Sequence, residues 1–170
     1  MIGLEANVNL LSDHAPFLYP TQLMNYTKDS KCVKKAAELC KNAKNDVERL
    51  SAIYTYMIEN VRYDREFAQN VQSGYIPDPD QILERASGFS FDYASLMCAM
   101  LRSQGIPARM IIGDANLSVD DRFEYHAWNE VYLEDEGWTL MDAFIGAIPQ
   151  NAGMVKWFKE PTVYKEEKRF

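Results

Sequence analysis

Residues 87–107 read Ser87-Gly88-Phe89-Ser90-Phe91-Asp92-Tyr93-Ala94-Ser95-Leu96-Met97-Cys98-Ala99-Met100-Leu101-Arg102-Ser103-Gln104-Gly105-Ile106-Pro107. From Phe91 to Leu101, apolar side chains cover nearly every face of a 3.6-residue repeat, and a helix apolar all round is a buried helix. Gly105 is a natural residue to end it, and Pro107 stops the chain from continuing in the same form. A buried helix needs other elements packed round it, so the flanking sequence is read for those layers.

Upstream, residues 30–44 carry Cys32, Val33, Ala36, Ala37, Leu39 and Cys40 at helical spacing. A second helix is expected from an Asn45/Asp46 cap, with an apolar stripe of Val47, Leu50, Ile53, Tyr54, Met57 and Ile58. Residues 65–86, interrupted by Gly74, Pro77 and Pro79, are expected to form a loop with one short helical turn near Gln81–Arg85. Residues 1–28, broken by Pro16 and Pro20, read as an arm laid over the core.

Downstream, three strands are expected at Ala108–Gly113, Phe123–Glu134 and Trp138–Phe144, with Asn116–Arg122 a polar loop and Asp135-Glu136-Gly137 a turn. The tail, 151–170, holds Trp157, Phe158 and Tyr164 and is expected to pack back before ending in a charged run. Helices followed by antiparallel strands give the α+β class, with the N-terminal helices and a buried central helix packed on an antiparallel sheet. The 170 residues form one domain, and the motif-bearing core lies at 45–146.

Composition narrows the function. The chain is 47% hydrophobic and 12% aromatic, enough for a packed core. Its net charge of −7, without a Lys/Arg cluster, argues against nucleic acid as a partner. No apolar run approaches the roughly 20 residues of a membrane span. The opening residues lack a basic segment followed by an apolar stretch, so no export signal is read there. Cys32, Cys40 and Cys98 have no zinc-binding spacing and read as free, packed thiols. Cys32 and Cys40 lie eight residues apart on one helix, roughly 12 Å, which is too far for a disulfide.

Two histidines remain. His14, in the arm, reads as a surface residue, whereas His126 lies within Tyr125-His126-Ala127-Trp128-Asn129-Glu130-Val131, a strand with the character of a buried sheet. Asp142, in Leu140-Met141-Asp142-Ala143-Phe144, needs a partner in such surroundings. Alternation puts His126, Trp128, Glu130 and Tyr132 on one face of their strand, and Trp138, Leu140, Asp142 and Phe144 share a face on the next, with His126 and Asp142 on the same side of the sheet in either register. A three-residue turn would pair Glu130 with Asp142 and leave His126 on the order of 13 Å away. Pairing Glu130 with Trp138 would bring His126 opposite Asp142, so only that register is expected to allow the bond. Trp128 either roofs the pair or packs against it. Ser90, after Gly88 and ahead of the buried helix, stands where a helix N-terminus favours a developing anion, and it also reads as the helix N-cap.

Gly88-Phe89-Ser90-Phe91-Asp92-Tyr93-Ala94, Leu101-Arg102-Ser103-Gln104-Gly105-Ile106-Pro107-Ala108-Arg109, His126-Ala127-Trp128-Asn129-Glu130-Val131 and Gly137-Trp138…Asp142 together resemble the transglutaminase-like superfamily. Asn60-Val61-Arg62-Tyr63-Asp64 resembles the family's segment ahead of the catalytic loop. The resemblance implies a papain-like cysteine-protease fold and a Cys–His–Asp triad, with His126 as base and Asp142 as its orienter. It implies a peptide or protein substrate whose amide is opened through a thioester, and neither a metal nor an organic cofactor. Compact bacterial-type members of this kind are more often peptidases or amidases than cross-linkers. The family's cysteine is replaced here by Ser90, and three explanations stay open: an introduced Cys→Ser change, a natural pseudoenzyme that keeps the cleft to bind peptide or cell-wall fragments, or a working serine triad. Exported members are common, which favours an extracytoplasmic protein whose leader has been removed.

Overall fold

The computed structural model describes residues 12–116, 123–147 and 164–170. Its centre is the helix α5, Ser90–Ser103, in which every residue from Asp92 to Arg102 is buried. Gly105, at φ +79°, turns the chain out of it. Helices α1 (Lys31–Cys40) and α2 (Asp46–Asn60) pack on one side of α5. Asn45 caps α2 by accepting the Glu48 amide at 2.8 Å, and Leu50, Ile53 and Met57 form its buried stripe.

Against α5 lies a four-stranded antiparallel sheet in the order β5-β4-β3-β6, built from β3 (Ala108–Ala115), β4 (Glu124–Leu133), β5 (Gly137–Met141) and β6 (Tyr164–Arg169). The α+β class and the buried helix on an antiparallel sheet are therefore the architecture of the chain. Three regions differ from the sequence expectation. Residues 65–86 hold two helices, α3 (Arg65–Asn70) and α4 (Pro79–Arg85), because Asp64 and Asp78 cap each start with their carboxylates. The third expected strand ends at Met141, and Ala143–Ala147 turn into a short helix, α6. The charged C-terminal run forms β6, whose partner is β3. Edge strands tolerate charge because their outer flank is left unpaired.

Of the expected arm, residues 12–28 are described, and they touch the body at several points. Met24 is fully buried, and the Arg102 guanidinium, buried at the end of α5, donates to the Tyr19 carbonyl at 2.6 Å. His14 departs from the surface reading. Its ring stacks on Tyr132, with centroids 3.7 Å apart, and meets the edge of Trp138, so aromatic packing draws it half under cover. The loop residues 117–122 and the tail residues Trp157 and Phe158 lie outside the described residues.

Candidate active site

A two-residue parallel pairing positions the N-terminus of α5. Strand β1 (Arg62–Tyr63) pairs with β2 (Ser87–Gly88), and the Asp64 amide donates to the Gly88 carbonyl at 2.8 Å. Segment 60–64 is thus stitched to the turn that leads into Ser90. Asp92, fully buried, folds back under that turn to accept the Phe89 amide at 3.2 Å, the Tyr75 hydroxyl at 2.6 Å and the Arg85 guanidinium at 3.2 Å. A Cβ at position 88 would meet the Asp92 carboxylate at 2.5 Å, so glycine is required for the carboxylate to reach this place. Burial pushes the Asp92 carboxyl up, against the Tyr75 hydroxyl, the Phe89 amide and Arg85, which all favour its charge.

Ser90 is the first residue of α5 and not its cap, because Phe89 occupies the extended cap position and Asp92 takes over the capping role. Among the described residues, the Ser90 hydroxyl makes no side-chain hydrogen bond. It lines a cavity of about 450 Å³ together with His126, Phe89, Phe91, Tyr75 and Tyr125. The Tyr75 hydroxyl, bonded to Asp92, ties the 71–75 wall of that cavity to the base of the helix.

His126 and Asp142 are in contact. His126 Nε2 lies 2.7 Å from Asp142 Oδ2, and both residues are buried. Neither expected register produces this bond. Leu133 pairs with Gly137 and Glu130 with Leu140, a register midway between the two. That pairing alone would carry Asp142 towards Trp128, two residues short of His126. Contact becomes possible because the strand ends at Met141 and Asp142 swings out to cap α6, its Oδ1 accepting the Ile145 amide at 3.1 Å. Phe144 consequently leaves the sheet face and packs on His126 from α6, with centroids 5.5 Å apart.

A carboxylate is acceptor-only, so in the 2.7 Å contact His126 donates from Nε2 to Asp142. A buried imidazole held in one tautomer beside a cavity can take a proton from a group across it. Trp128, 3% exposed, lies nearly parallel to His126 at 6.2 Å and packs on Tyr164, so it walls the imidazole rather than roofing the cleft. Sequence reasoning expected Tyr164 to pack back on the body but not to reach the site, where its hydroxyl donates to Asp142 Oδ2 at 3.0 Å. A lone aromatic heading a charged run was the available signal.

All three cysteines are free and buried. Cys98 sits mid-helix beside Asn129, whose amide donates to its Sγ at 3.1 Å, and burial pushes its thiol up to about 11. No group of three or more His, Cys, Asp or Glu side chains among the described residues could hold a metal ion.

Residues 33–143 match the family described as the transglutaminase-like superfamily. A protein-glutamine gamma-glutamyltransferase of Pseudomonas aeruginosa is 32% identical over 79 residues, which is 42% of this chain and 12% of that protein. Kyphoscoliosis peptidase of Mus musculus is 30% identical over 118 residues, 65% of this chain and 17% of that one. Among solved structures, a Cytophaga hutchinsonii protein assigned as a cysteine protease is similar with a TM-score of 0.65 at 24% identity, over 95% of this chain and 55% of that one. The periplasmic domain of TgpA from Pseudomonas aeruginosa gives a TM-score of 0.60 at 20% identity, over 78% and 47% respectively. The two structural likenesses concern the fold. This chain spans less than a fifth of the curated relatives' length.

Proposed function

The chain belongs to the transglutaminase-like superfamily, and on that premise we propose that its cleft is a Cys–His–Asp acyl-transfer site for peptide or glutamine amides, with Ser90 at the nucleophile position. The observation that carries this reading is the 2.7 Å contact between His126 Nε2 and Asp142 Oδ2, beside the cavity that His126 shares with Ser90.

In the thiol form, His126 Nδ1 takes the proton of the nucleophile. Asp142 holds the Nε2–H and stabilises the resulting imidazolium. The sulfur then bonds to the substrate's carbonyl carbon, the imidazolium passes its proton to the departing amine, and the C–N bond breaks to leave a thioester. Water resolves the thioester in hydrolysis, and an amine resolves it in transfer. Hydrolysis is the reaction we assign.

A thiol of pKa near 8.5 can rest as a thiolate beside an imidazolium, whereas a serine hydroxyl must lose its proton during attack itself. In the Ser90 chain the site therefore retains recognition but not turnover, and the open cavity favours peptide binding as its residual activity. The extracytoplasmic location that the family resemblance favours would be checked by cell fractionation of the native gene product. No helix among the described residues is long and apolar enough to cross a membrane.

The test is Ser90→Cys treated with a peptide carrying a thiol-reactive electrophile. Covalent labelling at position 90 that falls away in the His126→Ala background is expected. A folded Ser90→Cys protein that is not labelled would overturn the assignment.

A further inference from the structure

We propose that Tyr164 is a positioning residue for the candidate triad, acting on His126 through Asp142; the inference rests on the acyl-transfer reading of those two residues. Asp142 is held from three elements at once. Its Oδ2 faces His126 Nε2 of β4 at 2.7 Å and accepts the Tyr164 hydroxyl of β6 at 3.0 Å, while its Oδ1 accepts the Ile145 amide of α6. The two contacts on Oδ2 compete for the same electron density. The hydroxyl therefore fixes the plane of the carboxylate and draws off part of the charge that His126 would otherwise feel.

The position of Tyr164 in its strand is the second observation. In β6, with sequence Tyr164-Lys165-Glu166-Glu167-Lys168-Arg169, Tyr164 alone is partly buried and the other five side chains are exposed. The single inward side chain of the strand is thus the one on Asp142. Its ring lies 4.9 Å from that of Trp128 and 6.3 Å from that of His126, closing the imidazole's surroundings from the C-terminal side. The sheet makes room for this strand, since a Cβ at Gly113 would come within 1.9 Å of the Lys165 carbonyl oxygen. Burial, and after it the charge of Asp142, push the phenol well above its ordinary range, so it remains a neutral donor at all working pH values. Among the described residues, Tyr54 of α2 also feels this carboxylate, and it too is raised by burial and stays neutral. Among the described residues, His126 is the sole ion-pair partner of Asp142.

The experiment follows the imidazole of His126 by NMR in the full chain, which needs neither a nucleophile nor a substrate. Tyr164→Phe keeps the ring and removes only the hydroxyl. With the competing donor gone, Asp142 stabilises the imidazolium more, and the His126 titration moves up by roughly half to one pH unit, the scale of one charge-assisted hydrogen bond shared between two partners. In an Asp142→Ala background, the same Tyr164→Phe change is expected to leave the titration where it is. A His126 titration that is unmoved or lowered by Tyr164→Phe, or one that still shifts without Asp142, overturns the proposal. Should Tyr164→Phe fail to fold, the native chain supplies the reading: a slowly exchanging Tyr164 hydroxyl proton close to the His126 Nε2 proton is expected, and its absence overturns the proposal. A Ser90→Cys chain that fails to react would count against the acyl-transfer reading while leaving this titration intact.

Discussion

The first turn and the middle of α5 place similar atoms in opposite circumstances. At the first turn, Ser90 carries an uncommitted hydroxyl on a cavity that also holds His126. Eight residues along, Cys98 carries the more nucleophilic element but is wholly buried, bonded to Asn129, and pushed up to about 11. The chain therefore has sulfur in the dry core and oxygen at the position that lines the cavity. Location on the helix matters as much as the identity of the side chain: a helix N-terminus and an imidazole favour an anion, and a dry core disfavours one.

The largest effect that could break this comparison is catalytic. Ser90→Cys is expected to hydrolyse a peptide amide, and adding His126→Ala to lower that rate by about 10³- to 10⁴-fold, the weight of a general base in a triad. Steady-state kinetics of the two variants side by side provide the measurement, and equal rates would remove His126 from the chemistry. A second contrast sets the two positions directly against each other. At pH 7 a thiol introduced at 90 is expected to alkylate at least about 10³-fold faster than Cys98, because its thiolate fraction is that much greater. Time-resolved peptide mass spectrometry after iodoacetamide treatment reads both sites in one sample.

Smaller effects sharpen the comparison from the structural side. Asn129 is buried and donates to the Ala94 carbonyl and to Cys98 Sγ, so it holds the middle of α5 on β4. Asn129→Ala is expected to cost about 2 kcal/mol in urea unfolding by removing these bonds, with no gain in Cys98 labelling while the fold persists.

The start of α1 supplies the control for helix termini. There the Asp80 carboxylate already occupies the amides of Lys31 and Cys32, at 3.0 and 2.8 Å. Asp80→Ala is expected to cost about 1 kcal/mol at neutral pH. Burial pushes Asp80 up, but the Cys32 and Lys31 amides outweigh it and hold the carboxyl below its ordinary 3.8. A lowered carboxyl stabilises the fold above the ordinary value and loses that contribution as pH falls through the lowered one. The stability gap between native chain and variant should accordingly close in acid, as urea midpoints measured from pH 7 down to pH 3 would record.

Much of this was legible before any coordinates. The all-round apolar pattern of 91–101 announces a buried helix, Asn45 announces a cap, and the resemblance carried by 88–94, 126–131 and 137–142 singles out Ser90, His126 and Asp142. What escaped has physical reasons. Arg65–Asn70 is short and polar, so no periodicity marks it, and it is held by the Asp64 cap. Tyr164–Arg169 has no buried stripe, and only the vacant edge of β3 makes it a strand. Asp142 looks like a strand residue by alternation, yet it acts as the cap of α6, and that local exit from the sheet puts its carboxylate on His126.

The sequence by itself determined the α+β class, the central helix, and which side chains could carry chemistry, because burial patterns and residue chemistry are local properties. Tertiary structure alone decided the hairpin register, the route by which Asp142 reaches His126 and the arrival of Tyr164. These contacts depend on where strands end and on which distant edge they find, and a one-dimensional period of two or 3.6 does not encode either.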